Sequence, residues 1–369
     1  MHVPAMDLTS LDAWSKEEIL TRWKTILDTG TFIGGETVAR FETEFAQACD
    51  VEHAIAVSSG TDALLLLLLA LGVGPGDEVI TPANTFIATA EAVSQTGATV
   101  VFADIDPLTY NIDPKAVVRA ITPRTKGIIA VHLFGQPANM DALLRVAEDH
   151  GLWVAEDACQ AHQAKYKTQT AGSIGVGAAF SFYPTKNLGA CGEAGAVTTN
   201  RADLAETVRI LRDHGQLHKN VHEYVGYNGR CDALQAAALS VKLRHLPLWN
   251  ERRAENAARY TKYLTHADHV QLPHVSPQCV SSWHHYVVQV DRRDWVRDQL
   301  ATRGIGTGIH YPMPLHLQPA YAHLGYHPGS LPVTEACAAR ILSLPMYPGL
   351  REDEIAYVCE NLIDVTSPY

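Results

Sequence analysis

From about residue 53 the chain alternates short β-rich apolar runs with segments of helical period, and this alternation limits the fold more than any other feature. His53–Val57, Glu78–Thr81, Thr99–Ala103, Gly127–His132 and Leu152–Ala155 read as strands. Asp62–Leu71, Thr85–Gln95, Pro114–Ile121 and Met140–His150 read as the helices between them. Continuous apolar strands separated by helices predict a mainly parallel central sheet covered by helices on both faces, an α/β fold. Asp113-Pro114 opens one helix as cap and first helical residue.

Ahead of this region, Ser15-Lys16-Glu17-Glu18 has capping-box spacing and predicts a helix from there to Asp28, with Gly30 as its stop. Beyond it a strand is expected at Ala194–Thr199, then a long helix from Asp232 to about Tyr263 with a break at Pro247. A strand at His284–Val290, a helix at Asp294–Arg303 and a Pro-rich loop at His310–Pro319 suggest a second, smaller unit. The expected division is an N-terminal helix plus large domain over 1–245 and a small C-terminal α/β domain over 246–369.

A chain of 369 residues can bury a large core. Its formal charge of −11, from 29 Lys+Arg against 40 Asp+Glu without a block of like charges, argues against nucleic acid or an anionic membrane as partner. The longest apolar run, Ala63 to Leu71, falls far short of the ~20 residues of a membrane span. No basic region followed by an apolar stretch opens the chain, so a secretory signal is not expected. Seven scattered cysteines without a CxxC pair fit reduced thiols in a cytoplasmic enzyme. His218 and His222 beside Glu223 lack a third ligand, so no metal centre is expected.

Local features suggest chemistry, and each also has an ordinary reading. Ser58-Ser59-Gly60-Thr61-Asp62-Ala63 leaves a strand and opens a helix, where free N–H groups attract anions; an N-cap alone accounts for it. Asp157 follows the apolar strand Leu152–Ala155 and stands at the carboxyl end, where α/β sheets bind ligands, although it could equally cap the next segment. Lys186, in Ser181-Phe182-Tyr183-Pro184-Thr185-Lys186-Asn187-Leu188-Gly189, ends a strand before a glycine turn. A dry cleft there would lower its pKa and free the amine, whereas most lysines are solvated charges. Gly226-Tyr227-Asn228-Gly229-Arg230 reads by itself as a turn.

Read as literal strings, SSGTDAL, EDACQA, SFYPTKNLG, GYNGR followed by CDALQAAAL, and HYPMPLHLQPAY stand in the order and spacing of one family. The chain resembles the DegT/DnrJ/EryC1/StrS family of sugar aminotransferases, of fold type I, over nearly its whole length. That resemblance implies pyridoxal 5'-phosphate as cofactor. Lys186 falls on the Schiff-base lysine, and Asp157 on the aspartate that keeps the pyridine nitrogen protonated. Gln160 falls beside the ring hydroxyl, and Phe86 where an aromatic side chain stacks on the ring. Gly60, Thr61 and Ser181 match the phosphate cradle. Asn228 matches a residue that reaches the neighbouring subunit's cofactor phosphate, which implies a homodimer with shared active sites. Tyr183, His310, Tyr311 and His316 are expected near the substrate.

The chemistry implied is ping-pong. Lys186 serves as base at the α-carbon of the donor, L-glutamate, while Asp157 keeps the cofactor ring cationic. The acceptor is a nucleotide-linked keto sugar. The stretch Ser240–Leu246 followed by Trp249–Arg253 is similar to members that aminate C-3 of dTDP-linked 3-keto-6-deoxyhexoses, although Lys242, Arg244, Arg252 and Arg253 also read as solvated helix charges over a core of Leu243 and Leu246. Amination at C-4, or of a keto-cyclitol, is the alternative. A sugar dehydratase on the same fold would lack Lys186, and a silent binding protein would lack at least one of Asp157, Ser181 and Lys186. Cys191, Gln163 and Cys231 depart from the family's usual residues without touching a catalytic role.

Overall fold

A computed structural model describes residues 1–9 and 13–367. Helices α1 (Ala13–Thr29) and α2 (Gly35–Cys49) lead to strand β1 (His53–Val57) and helix α3 (Gly60–Ala70). The pattern continues with β2 (Glu78–Pro82), α4 (Ala88–Gln95), β3 (Thr99–Ala103), α5 (Pro114–Ala120), β4 (Thr125–Val131), α6 (Met140–His150) and β5 (Trp153–Asp157). Two short strands, β6 (Lys165–Tyr166) and β7 (Gln169–Thr170), precede β8 (Ala178–Ser181) and β9 (Gly195–Thr199). Helix α7 (Ala202–Arg212), the hairpin β10 (Gln216–His218) and β11 (Val221–His222), and helices α8 (Ala233–Leu243) and α9 (Leu246–Leu264) follow. The chain closes with β12 (Val270–Gln271), β13 (Cys279–Val280), β14 (Tyr286–Val290), α10 (Arg293–Thr302), α11 (Pro332–Arg340), β15 (Ile341–Leu344) and α12 (Glu352–Thr366).

The central sheet has seven strands in the order β1-β9-β8-β5-β4-β2-β3. Its pairings are parallel except those of β9, which is antiparallel to both β1 and β8. Crossing the sheet between parallel strands requires a covering helix, which explains the alternating pattern. Helix α3 is apolar nearly all round, and Leu64 to Leu68 are all buried in the main core, so it is an interior helix. Among the described residues no helix is long and apolar enough to cross a membrane. Asp113 caps α5 by accepting from the Lys115 N–H at 3.0 Å, as its sequence predicts.

A second sheet, β12-β14-β15, is antiparallel and carries its own core of Tyr260, Tyr286, Val288, Leu342, Ile355 and Leu362. The amino-terminal residues join this core. Val3 donates to the Gly304 carbonyl at 2.9 Å and accepts from Gly306 at 2.8 Å, and its side chain is fully buried.

Two expectations change. Helix α1 is already formed at Ala13, so Ser15 lies within it, and its hydroxyl faces His245 Nε2 at 3.3 Å instead of capping the helix. The long helix after Asp232 is two helices. The break falls at Arg244–His245, and Pro247 sits in the first turn of α9, where its missing N–H costs no bond.

Candidate active site

Strand register builds the site. Val57 pairs with Gly195, which pairs with Ser181, so the carboxyl ends of β1 and β8 lie at one edge of the sheet. Asp157, the last residue of β5, pairs with Ala179 on β8 and with Val131 on β4. The turn into α3, Ser181 and Asp157 therefore meet at the carboxyl edge, where ligands of α/β sheets bind. They line a cleft of about 640 Å3 together with Phe86, Gln160, Tyr183, Lys186, His310 and Tyr311.

At one end of the cleft α3 begins. Ser59 caps it, its hydroxyl accepting from the Asp62 N–H at 3.0 Å, and the Ser58 hydroxyl bonds the Asp62 carboxylate. The first-turn N–H groups beside Gly60 and Thr61 carry the positive end of the helix dipole. A Cβ on Gly60 would stand 2.6 Å from the Ser181 Cβ, so glycine is needed for this close approach of helix and strand. The result is a small anion cradle.

Asp157 is buried, with both carboxylate oxygens held. Oδ1 accepts from the Cys159 N–H at 3.2 Å and Oδ2 from the Thr89 hydroxyl at 2.7 Å, and Thr89 is in turn 3.0 Å from Thr85 Oγ1. Gln160 Oε1 accepts from the Phe134 N–H at 2.7 Å, and its amide donates to the Tyr311 hydroxyl at 3.3 Å. Phe86, half exposed, packs on the Tyr311 ring at 5.7 Å between centroids.

Lys186 lies beyond the end of β8, in a turn whose backbone closes through Lys186 N–H to Tyr183 O at 2.8 Å. Gly189 permits the turn, because a Cβ there would lie 2.4 Å from the Pro184 carbonyl oxygen. The lysine is half-buried. Desolvation lowers its pKa against the opposing pull of Cys159 and Asp157, which favours the neutral amine. Burial, followed by the charge of Lys186, depresses His310 to about 4, and its Nδ1 lies 2.8 Å from Ser343 Oγ.

Other expected site residues stand elsewhere. His316, expected near the substrate, is buried and does not line the cleft; its Nε2 lies 3.0 Å from the Glu335 carboxylate. Asn228 is exposed and does not line its own chain's cleft; its backbone bridges to Asp213. Lys242 and Arg253 are not solvated helix charges. Lys242 donates to the Gly189 carbonyl at 2.7 Å, bracing the lysine-bearing turn. Arg253 Nη1 donates to the carbonyls of Trp283, His284 and Met346 at 3.1–3.3 Å. Arg244 does reach the surface, pairing with Glu18 at 2.6 Å, and Leu243 and Leu246 are core.

Sequence reasoning missed Thr89, which reaches Asp157 from α4, and His284 and His285, which line the cleft just before β14. The spacing of Thr85 and Thr89 offered a signal for the first: α4 starts only at Ala88, so Thr85 precedes it, yet the two hydroxyls meet at 3.0 Å.

The residues present fit pyridoxal phosphate. The cradle of Gly60, Thr61 and Ser181 suits its phosphate, a buried carboxylate suits its ring nitrogen, an aromatic face suits the ring, and an amine of lowered pKa suits its aldehyde.

The model of the DegT/DnrJ/EryC1/StrS aminotransferase family matches residues 14–363. The chain is 45% identical to a Geobacillus stearothermophilus protein named as a pleiotropic regulatory protein, covering 99% of this chain and 98% of that relative. It is also 45% identical to the dTDP-3-amino-3,4,6-trideoxy-α-D-glucose transaminase of Streptomyces venezuelae, covering 97% and 94%. The fold superposes with a TM-score of 0.97 on the crystal structure of S. venezuelae DesV in complex with a ketimine intermediate, at 44% identity and with 100% and 99% of the two chains covered.

Proposed function

The chain belongs to the DegT/DnrJ/EryC1/StrS aminotransferase family, and from that premise we propose that it moves the amino group of L-glutamate to C-3 of a dTDP-linked 3-keto-6-deoxyhexose. Its activity is pyridoxal 5'-phosphate-dependent transamination of a nucleotide-linked keto sugar. One observation carries the assignment of roles. Lys186, Asp157 and the Gly60-Thr61-Ser181 cradle line a single cleft.

In that cleft the cofactor supplies an electron sink. The first-turn amides of α3 and the Ser181 hydroxyl would hold its phosphate. Asp157, fixed by Thr89 and the Cys159 N–H, would accept a hydrogen bond from the ring nitrogen and so keep it protonated. Phe86 would cover one face of the ring, and Gln160 would stand beside its hydroxyl. Nζ of Lys186, whose neutral form desolvation favours, would take the proton from the donor's α-carbon and pass it to the cofactor, and in the second half-reaction would carry a proton from the cofactor to the sugar carbon that receives the nitrogen. Tyr183, His310 and Tyr311 border the space left for substrate.

Asn228 gains a role if two chains pair. It stands on a surface where Leu217, Val221, Tyr224 and Val225 are exposed, Val225 at 96%, and an apolar patch of this kind calls for cover. A homodimer in which Asn228 reaches the partner's cofactor phosphate supplies it. The division near residue 245 into a cofactor-binding unit and a smaller unit, and a cytoplasmic location, belong to the same reading. The regulatory name of one relative is no rival, because a regulator has no need of Lys186, Asp157 and Ser181 in one cleft.

The test begins with purified protein loaded with cofactor. L-Glutamate is expected to bleach the visible absorbance band, and Lys186→Ala to abolish both that band and turnover while the fold persists. A spectrum that glutamate leaves unchanged overturns the reading. NMR of the product from 3-keto and 4-keto dTDP sugars locates the new amine, and amination at C-4 alone overturns the choice of C-3. Sedimentation of Val225→Asp tests the dimer.

A further inference from the structure

Resting on the function proposed above, we infer that His285 is a sugar-contacting, specificity-determining residue, whose imidazole hydrogen-bonds a hydroxyl of the keto sugar's ring.

His285 immediately precedes β14, which runs between the two cores of the molecule. Tyr286, Val288 and Val290 belong to the core of the small unit, and Val287 to that of the large one. Side chains alternate along a strand, so His285 shares the face of Val287, turned toward the central sheet. There its ring lines the same cleft as Lys186. It lies flat on His310, with centroids 4.0 Å apart and planes inclined by 12°, and its other neighbour, His284, is 4.1 Å away.

The hydrogen bonds of this row are unequal. His284 Nδ1 is 3.0 Å from Asn187 Oδ1, and His310 Nδ1 is 2.8 Å from Ser343 Oγ. Among the described residues His285 has no side-chain hydrogen bond, although its backbone N–H donates to the Phe134 carbonyl. A half-buried imidazole whose ring is fixed by stacking while both nitrogens lack protein partners is a vacant polar contact on the cleft wall. Its position among other imidazoles and near Lys186 disfavours a charge, and burial pushes its pKa well below the ordinary histidine value. A neutral imidazole offers one donor and one acceptor. That pair matches a sugar hydroxyl, which both donates and accepts, better than the donor's carboxylates, which only accept. A site that hydrogen-bonds a substrate hydroxyl also rejects analogues lacking it.

The test uses the cofactor-loaded protein and two unreactive ligands, dTDP and a dTDP-linked 6-deoxyhexose bearing a hydroxyl at C-3, titrated by calorimetry into wild type, His285→Phe and His285→Gln. Phenylalanine keeps the stack on His310 and removes the polar atoms; glutamine restores a donor and an acceptor. The expected result is that His285→Phe weakens the dTDP-sugar about tenfold, leaves dTDP unchanged and leaves bleaching by L-glutamate at the wild-type rate, while His285→Gln recovers part of the loss. Equal weakening of dTDP and of the dTDP-sugar, unchanged binding of both, or slower bleaching by glutamate overturns the inference. Failure of wild type to be bleached by glutamate would instead remove the function on which it rests.

Discussion

The Thr89 hydroxyl donates to Oδ2 of Asp157 at 2.7 Å, inside the protein and behind the carboxylate that the proposed function sets against the cofactor ring. With the Cys159 N–H on Oδ1, it fixes the plane of a carboxylate whose orientation, in the proposed function, would decide how squarely the ring nitrogen is met. Thr89→Val keeps the shape and removes the donor. A buried acceptor left without its donor costs about 1–3 kcal/mol, so cofactor dissociation is expected to strengthen by roughly tenfold. Thr89→Ser, which keeps the hydroxyl, should stay near wild type. Release of cofactor during dialysis, followed by absorbance, measures both.

Gly60→Ala is expected to damage the phosphate cradle directly. The new Cβ would lie 2.6 Å from Cβ and 3.1 Å from Cα of Ser181, neither of which can swing away as a long side chain would. Separating α3 from β8 costs about 1–3 kcal/mol of overpacking and misaims the first-turn amides. Thermal melting should fall and the cofactor Kd rise together. A variant with wild-type cofactor affinity would show that these amides do not hold the phosphate.

Glu156, next to Asp157 and fully buried, ties the site to the sheet. Its carboxylate is 2.8 Å from His132 Nε2 and accepts from the N–H groups of Gly172, Ile174 and Gly175, each at 2.8 Å. Burial by itself would raise its pKa, but the His132 hydrogen bond and charge and the backbone donors outweigh it, and the net direction is down. A depressed carboxyl gives stability that is complete above its unfolded pKa and is lost as pH falls through the folded value. Glu156→Gln should therefore cost about 3 kcal/mol at neutral pH and flatten the acid side of the melting profile. Thermal melts from neutral to acid pH check both.

The sheet was legible because its strands are mostly buried and rich in apolar residues, and helices such as α3, α5 and α6 open on a side-chain cap, as at Asp113-Pro114. The chemistry of Lys186 and Asp157 was legible only as part of longer strings. Strand register, which no single segment encodes, is what brings Val57 and Ser181 together through Gly195. Lys242 and Arg253 were misleading because a cation on a long helix is ordinarily solvated, whereas these are satisfied by carbonyls from remote segments. His285 escaped notice for a related reason. Both faces of β14 are buried, so the run Tyr286–Val290, apolar but for Gln289, gives no alternation from which to tell the cleft side. Gln163 shows the reverse: its departure from a usual small residue was visible, and its φ of 59° gives the physical meaning, a left-handed backbone that favours glycine.

The lowered pKa of Lys186 makes a prediction about the cofactor-free protein. Between the lowered folded value and the ordinary lysine value of about 10.4, the unfolded chain binds more protons than the folded one, so stability rises with pH across that window. Below the window both states carry the charge, and the folded protein bears the whole cost of desolvating it. Lys186→Met removes the charge and keeps a flexible apolar side chain in its place. Without cofactor, this variant is expected to melt above wild type at neutral pH, by about 2 °C for each kcal/mol of penalty removed. The gap should narrow as pH climbs toward the ordinary lysine value, because wild type sheds its proton there and the variant has none to lose. Melting curves of both cofactor-free proteins across that range decide the matter. A gap of constant size would mean that lost contacts, and not the buried charge, separate them, and the amine of Lys186 would then not owe its availability to desolvation.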